Sequence, residues 1–181
     1  MLVQGACAGG AGAPELDELL GGTRALAVAR ILAARAADWA QKVAPGRILE
    51  VAPAALEQAA AAVLPADGPL LFVWPQLPRW TTEHAAAALG DLRSGCDLSL
   101  GPVFSGGLYL LALARAQADL LALLRPSRLG PDGLGPALDT VQRAGVGVGL
   151  LRAERGLWTE DDVRAALADP LLDPELRALL S

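Results

Sequence analysis

Short apolar runs that read as strands alternate along this chain with longer stretches of helical period. Nothing else in the sequence limits the fold as much. The run "LLFVW" (70–74) is apolar throughout, as a strand buried on both faces must be. "RILEVA" (47–52) reads as a strand after the Pro45-Gly46 turn, and "VGVGLL" (146–151) as another. Helical period covers 23–42, with Thr23 placed as a cap and Leu26, Ile31 and Trp39 roughly on one side. It recurs at 53–64 with a proline in the first turn, after Thr81 with Glu83 in its first turn, and at 115–124, 137–145, 159–169 and 173–180. Strands alternating with helices imply a largely parallel sheet covered on both faces. One place breaks the alternation. In "DLSLGPVFSGGLYLLAL" (97–113) two strands follow each other across a short linker.

With 181 residues, 53% hydrophobic and 19% charged, the chain is long and apolar enough for one domain, 1–181, with a sizeable core. The net charge of −5 argues against nucleic acid and anionic membrane as partners, since both require a basic field. No run reaches the roughly 20 apolar residues of a membrane span. "MLVQGACAGG" lacks the charged start and long apolar run of a signal peptide, so a cytoplasmic location is expected. Cys7 and Cys96 read as small buried apolar residues.

Several motifs could carry chemistry. "GACAGGAGAP" follows the first strand and could cradle a phosphate with the amides around Gly5, Gly9, Gly10 and Gly12. It is neither GxGxxG nor a P-loop, and residues 1–23 contain no cation. His84 is the only histidine and reads as a surface or cap-region residue. The acidic run 160–162 complements a helix dipole. Trp39 reads as helix core. Trp74, Trp80 and Trp158 fall at strand or helix ends, where they could stack a base or plug a pocket.

Two stretches resemble the bacterial glycosyltransferase-A-like family related to nucleotide-diphospho-sugar transferases. Its distant relatives are the guanylyltransferases of molybdenum-cofactor and deazaflavin-cofactor synthesis. "VWPQLPRWTTEH" is similar to the family's Gly-Ser-Asp-x-Pro-x-Leu-Thr-Pro-Glu-His at Pro78, Thr81, Glu83 and His84. "LGPVFSGGLYLLAL" is similar to Leu-Gly-Pro-x-x-Asp-Gly-Gly-Tyr-Tyr-Leu-Leu-Gly-Leu, matching Leu100, Gly101, Pro102, Gly106, Gly107, Tyr109, Leu110, Leu111 and Leu113. The resemblance implies an α/β/α three-layer sandwich with a mixed, mostly parallel sheet. It places a crevice at the strands' C-terminal ends among residues 9–13, 74–80 and 104–107.

The departures from the pattern are chemical. The family's acidic positions hold Gln76, Ser105 and Trp158, and the basic positions of its first loop hold Gly5, Ala13 and Glu15. A Mg²⁺ site for a diphosphate needs one or two carboxylates, and phosphoryl-type transfer needs cations. The expected protein is therefore a degenerate, non-catalytic member without a metal. It would bind a small molecule or a partner at an apolar crevice through Trp74, Gln76, Arg79, Trp80, Ser105, Gly106, Gly107 and the glycines of the first loop. The first alternative is an active nucleotidyl- or glycosyltransferase using Mg²⁺ or Mn²⁺ on the spare acids Asp97, Asp161 and Asp162, with a nucleotide or nucleotide-sugar as partner. The second is a structural or interaction homodimer.

Overall fold

The computed structural model describes residues 2–5, 14–51, 58, 62, 68–115, 117–124 and 133–181. Its strands are β1 (Leu2–Gly5), β2 (Ile48–Val51), β3 (Leu70–Val73), β4 (Leu98–Pro102), β5 (Leu108–Leu113) and β6 (Val148–Leu150). They form one sheet in the order β2-β1-β3-β5-β4-β6. Every pairing is parallel except those of β5, which runs against both β3 and β4. The reason is the linker noted in the sequence. Residues 103–107 are too short for a crossover, so β4 and β5 can only pair as a hairpin.

The helices among the described residues are α1 (Pro14–Leu20), α2 (Gly22–Val43), α3 (Thr82–Arg93), α4 (Ala118–Leu124), α5 (Leu134–Arg143), α6 (Glu160–Ala168) and α7 (Pro174–Leu180). The helix expected over 53–64 lies largely outside the described residues; within it only Gln58 and Ala62 are described, and both are helical. Thr23 does not cap α2. That helix begins at Gly22, with Gly21 at the cap in a positive-φ conformation (φ 76°) that glycine adopts without strain. The buried stripe of α2 is Ala25, Val28, Leu32, Ala36 and Trp39, at helical spacing, and Leu26 is 38% exposed. Alanine carries much of that stripe, so the apolar face does not stand out by hydrophobicity. α5 starts earlier than its period suggests because Pro136 fits a first turn, where its missing N–H is not needed.

Strand parity splits the core into two layers. Leu70, Phe72 and Trp74 face one side with Leu98, Leu100, Leu111 and Leu113, packing against Leu120, Leu121 and Leu124 of α4 and Ala137 and Val141 of α5. Leu71, Val73, Leu110 and Ala112 face the other side against Ala36, Trp39 and Ala40 of α2 and Ala85 and Ala88 of α3. A third cluster joins α1 and the start of α2 to α6 and α7 through Leu16, Val28, Leu157, Val163 and Leu176. This is the expected α/β/α sandwich with a mixed, mostly parallel sheet. No helix among the described residues is long and apolar enough to cross a membrane.

Candidate functional site

The loop after β3 is anchored from three directions. The Trp74 N–H donates to the Tyr109 carbonyl at 3.0 Å, on the neighbouring antiparallel strand. From α2, Arg35 Nη1 donates to the Pro78 carbonyl at 2.9 Å and Trp39 Nε1 to the Thr81 carbonyl at 2.7 Å. Gln76, 5% exposed, turns inward, and its Nε2 donates to the Leu108 carbonyl at 2.6 Å. The Gln76 carbonyl in turn accepts from the Leu157 N–H at 3.0 Å. Gly156 lies close beside the glutamine, and a Cβ there would sit 3.2 Å from Gln76 Cγ. Gln76 thus ties β5 through its side-chain amide and the segment before α6 through its backbone carbonyl to the loop after β3.

The β4–β5 ladder slips by one residue at Gly101–Pro102, where Gly101 pairs with Leu110 and Pro102 with Leu108. The slip is a bulge, and it places Tyr109 on the same side of the sheet as Leu110 and Ala112. The phenol ring then lies over Gly101, where a Cβ would come within 2.6 Å of Tyr109 Cζ. Tyr109 joins an aromatic group on the α2–α3 side. Trp39 and Trp80 have ring centroids 4.6 Å apart, Trp80 and Tyr109 5.9 Å, Trp80 and His84 5.6 Å edge-on, and His84 and Tyr109 5.3 Å. The indole N–H of Trp80 is buried without a hydrogen-bond partner.

His84 occupies the third position of α3. Its Nδ1 accepts the Thr81 N–H at 3.3 Å, the place a glutamate or glutamine takes in a capping box. Its Nε2 faces Glu154 Oε1 at 3.5 Å. Burial holds the imidazole below its ordinary pKa, against the pull of Glu154 toward the charged form and with a smaller push from Arg152 toward the neutral form. The geometry agrees. An Nδ1 that accepts an amide hydrogen carries no proton, so the ring is neutral with its proton on Nε2, toward the carboxylate. Burial likewise pushes the Tyr109 hydroxyl up, so it stays protonated.

Glu154 is fixed by backbone pairing past the end of β6. Its N–H donates to the Pro102 carbonyl and its carbonyl accepts from the Phe104 N–H, both at 3.0 Å. Arg152 Nη2 lies 2.7 Å from Glu154 Oε1. These groups wall a cavity of about 470 Å³ between the loop after β3, the N-terminal turn of α3 and residues 151–155. Leu77, Pro78, Ala87, Tyr109 and Leu151 supply its apolar lining; Thr81, His84 and six charged side chains supply the rest. A second cavity of about 530 Å³ adjoins it and shares Pro78, Arg79 and Asp169.

The residues singled out in the sequence separate. Gly9, Gly10 and Gly12 lie outside the described residues, as does Cys7; Gly5 ends β1. Trp74, Trp80 and Trp158 do not form one rim. Trp74 is 8% exposed and belongs to the α4–α5 layer, Trp80 belongs to the α2–α3 layer, and Trp158 is partly exposed before α6. Successive residues along a strand point to opposite faces, so Trp74 follows Phe72 into the core. Ser105 is partly buried in the turn between β4 and β5, and its hydroxyl has no partner. Gly106 in that turn has a φ of 100°, and its carbonyl accepts from the Leu134 N–H at the start of α5. Gly107 donates no surface: it is buried and its carbonyl accepts from Val103. Of the expected ligand contacts, Arg79 lines the cavity, with Nη2 donating to the Leu171 carbonyl at 3.1 Å.

The spare acids serve local structure. Asp162 is 3% exposed and accepts from the Trp158 and Thr159 N–H groups at 3.2 and 3.1 Å, closing the capping box of α6. Asp161 pairs with Arg164 at 2.7 Å. Asp97 precedes β4, at the end of the strands opposite the loop after β3, and accepts the Gly147 N–H at 2.8 Å. Among the described residues there is no group of three or more histidines, cysteines or acids placed to hold a metal ion. Gln76, whose Nε2 donates to the Leu108 carbonyl, is a neutral amide, so its position lacks the carboxylate that a divalent cation would need there. Of the residues around the cavity, reading the sequence missed Arg152 and Glu154 and gave His84 and Tyr109 no place in a site. His84 does cap its helix, as expected. Its pairing with Glu154 spans 70 positions and leaves no local signal.

No family model matches the chain, and no curated protein matches it in sequence. Among solved structures, the chain superposes on a protein of Desulfovibrio desulfuricans G20 provisionally assigned as a nucleotide-diphospho-sugar transferase. The TM-score is 0.69 at 20% identity, over 99% of this chain and 92% of that one. A protein of Mycobacterium sp. strain JC1, a homologue of a Mycobacterium tuberculosis protein, gives a TM-score of 0.49 at 20% identity, over 92% and 94% of the two chains. A CMP:2-keto-3-deoxy-manno-octonic acid synthetase in complex with CTP gives 0.45 at 14% identity, over 93% and 98%. The fold assignment rests on the first of these. The chain has the fold of the nucleotide-diphospho-sugar transferases.

Proposed function

We propose that the protein is a nucleotide-diphospho-sugar transferase-like protein that has lost metal-dependent transfer. It binds a small molecule in the cavity beside α3. One observation carries this reading. Gln76 stands where the family pattern has a carboxylate, and it is committed to the interior as a link between three chain segments. An amide in the carboxylate's place brings no negative charge to a divalent cation. The spare acids are committed as well, to a helix cap, an ion pair and a strand start. Among the described residues, the cavity around His84 and Glu154 opens to solvent at the strands' C-terminal ends, and it suits binding more than phosphoryl-type transfer.

The reading is tested by incubating the full chain with nucleoside triphosphates and nucleotide-sugars, with and without Mg²⁺ or Mn²⁺, and following pyrophosphate or nucleotide release. No turnover above a protein-free control is expected under any condition. Turnover that requires the metal overturns the proposal.

A further inference from the structure

The two cavities meet at Pro78, Arg79 and Asp169, which line both. Arg79 and Asp169 carry opposite charges there, yet among the described residues neither has an ion-pair partner. The backbone of one residue keeps each in place. Asp169 Oδ1 accepts the Leu171 N–H at 2.9 Å, and Arg79 Nη2 donates to the Leu171 carbonyl at 3.1 Å. Asp169 is itself fixed at the end of α6, where its N–H donates to the Ala166 carbonyl at 3.0 Å. A carboxylate and a guanidinium are thus held at a fixed spacing. Each has capacity beyond its contact with Leu171, because a carboxylate has a second oxygen and a guanidinium has further N–H groups.

The surroundings decide what such a pair can hold. A lone anion is drawn to Arg79 and repelled by Asp169, and a lone cation meets the reverse. The first cavity adds no bias, because Arg79, Arg152 and Arg155 balance Glu83, Glu154 and Asp169. A ligand with both charges on either side of a single carbon uses both groups. Its carboxylate takes the guanidinium fork and its ammonium takes the carboxylate. The second cavity is lined beyond them by Pro170, Leu171 and Pro174, all exposed, Leu171 at 69%. Its other two charged side chains satisfy each other, since Arg35 Nη2 pairs with Asp173 Oδ1 at 3.0 Å. That wall suits an apolar side chain.

We propose that a free α-amino acid with an apolar side chain binds here without a metal. Its charged head sits on Arg79 and Asp169, at the edge of the cavity beside α3, and its side chain lies against Pro170, Leu171 and Pro174. The inference rests on the small-molecule reading above and names its ligand class.

Titration calorimetry and saturation-transfer NMR with the full chain in metal-free buffer test it. The first probes are leucine, methionine and phenylalanine. The N-acetyl and amide derivatives of the tightest binder follow, each lacking one of the two charges, and then nucleotide-sugars with and without Mg²⁺. At least one of the three amino acids is expected to bind, and each derivative about ten-fold more weakly, the loss of one charge-assisted contact. Asp169→Asn keeps an oxygen for the Leu171 N–H, so the fold should survive, and removes the charge. It should weaken the amino acid about ten-fold and leave the N-acetyl derivative level with it. Arg79→Gln, at an exposed side chain, should do the same with the amide derivative. Failure of all three amino acids to bind overturns the inference, as does equal binding of the amino acid and both derivatives, or unchanged affinity in both variants. Nucleotide-sugar binding without metal, together with no amino-acid binding, overturns this inference alone. Metal-dependent turnover overturns the functional reading beneath it.

Discussion

The two faces of the sheet are built from the same strands but carry different chemistry. The face toward α4 and α5 is almost wholly aliphatic, with Phe72 and Trp74 among leucines. The face toward α2 and α3 holds Trp39, Trp80, Tyr109 and His84 in mutual contact, a buried indole N–H without a partner, and the cavity. One face is a plain core, where only volume matters. The other combines packing with polar groups that must be satisfied individually. The bulge at Gly101–Pro102 makes the difference, because it delivers Tyr109 to the second face.

Variants on each face should break or sharpen this contrast. The largest effect is expected on the aliphatic side. Leu111→Ala removes a fully buried side chain and should cost about 2–5 kcal/mol in urea unfolding, while ligand contacts at the cavity stay unchanged. A stability loss with altered binding would show that the two faces are not independent. Gln76→Leu comes next. It leaves the Leu108 carbonyl without its donor and should cost about 1–3 kcal/mol by the same measurement. Unchanged stability would refute the linking role given to Gln76.

Gly101→Ala drives a methyl into the Tyr109 ring and should cost about 1–3 kcal/mol, with a change in near-ultraviolet circular dichroism as the aromatic group rearranges. An unaltered spectrum would mean that the ring has room to shift. Thr159→Ala, outside both faces, removes an N-cap acceptor for the Asp162 N–H and should cost about 1 kcal/mol.

The smallest effect is a pH dependence. His84 has a folded pKa below its unfolded value near 6.5, so the unfolded chain takes up the proton first as pH falls. The stability contributed by the neutral ring is fully present above about pH 6.5 and declines from there toward the lower folded pKa. His84→Gln should flatten that part of the profile. An NMR titration in which the His84 ring signals shift with an ordinary or raised midpoint would contradict the neutral, capping ring.

Much of the scaffold was legible in the sequence. The apolar runs at 47–52, 70–74 and 146–151 hold β2, β3 and β6, and the short linker at 103–107 announced the antiparallel pair. These signals are local: period, turn residues and linker length act over a few residues. The site was legible only in fragments. Thr81 and His84 showed as a helix start and Gly101 and Tyr109 as part of a pattern, yet none of these pointed to Glu154.

What the sequence determined by itself is the alternation of elements, the layered fold and the absence of carboxylates at Gln76 and Ser105. Only the tertiary structure decided that Gln76 is a buried link and that Trp74 and Trp80 part to opposite faces. It also decided that His84 meets Glu154 under a charge-balanced cavity. The reason is physical. Secondary structure follows from torsional preference and burial period within a segment. A site requires side chains from distant segments to share one small volume, and their separation there is set by sheet order, strand parity and a single bulge.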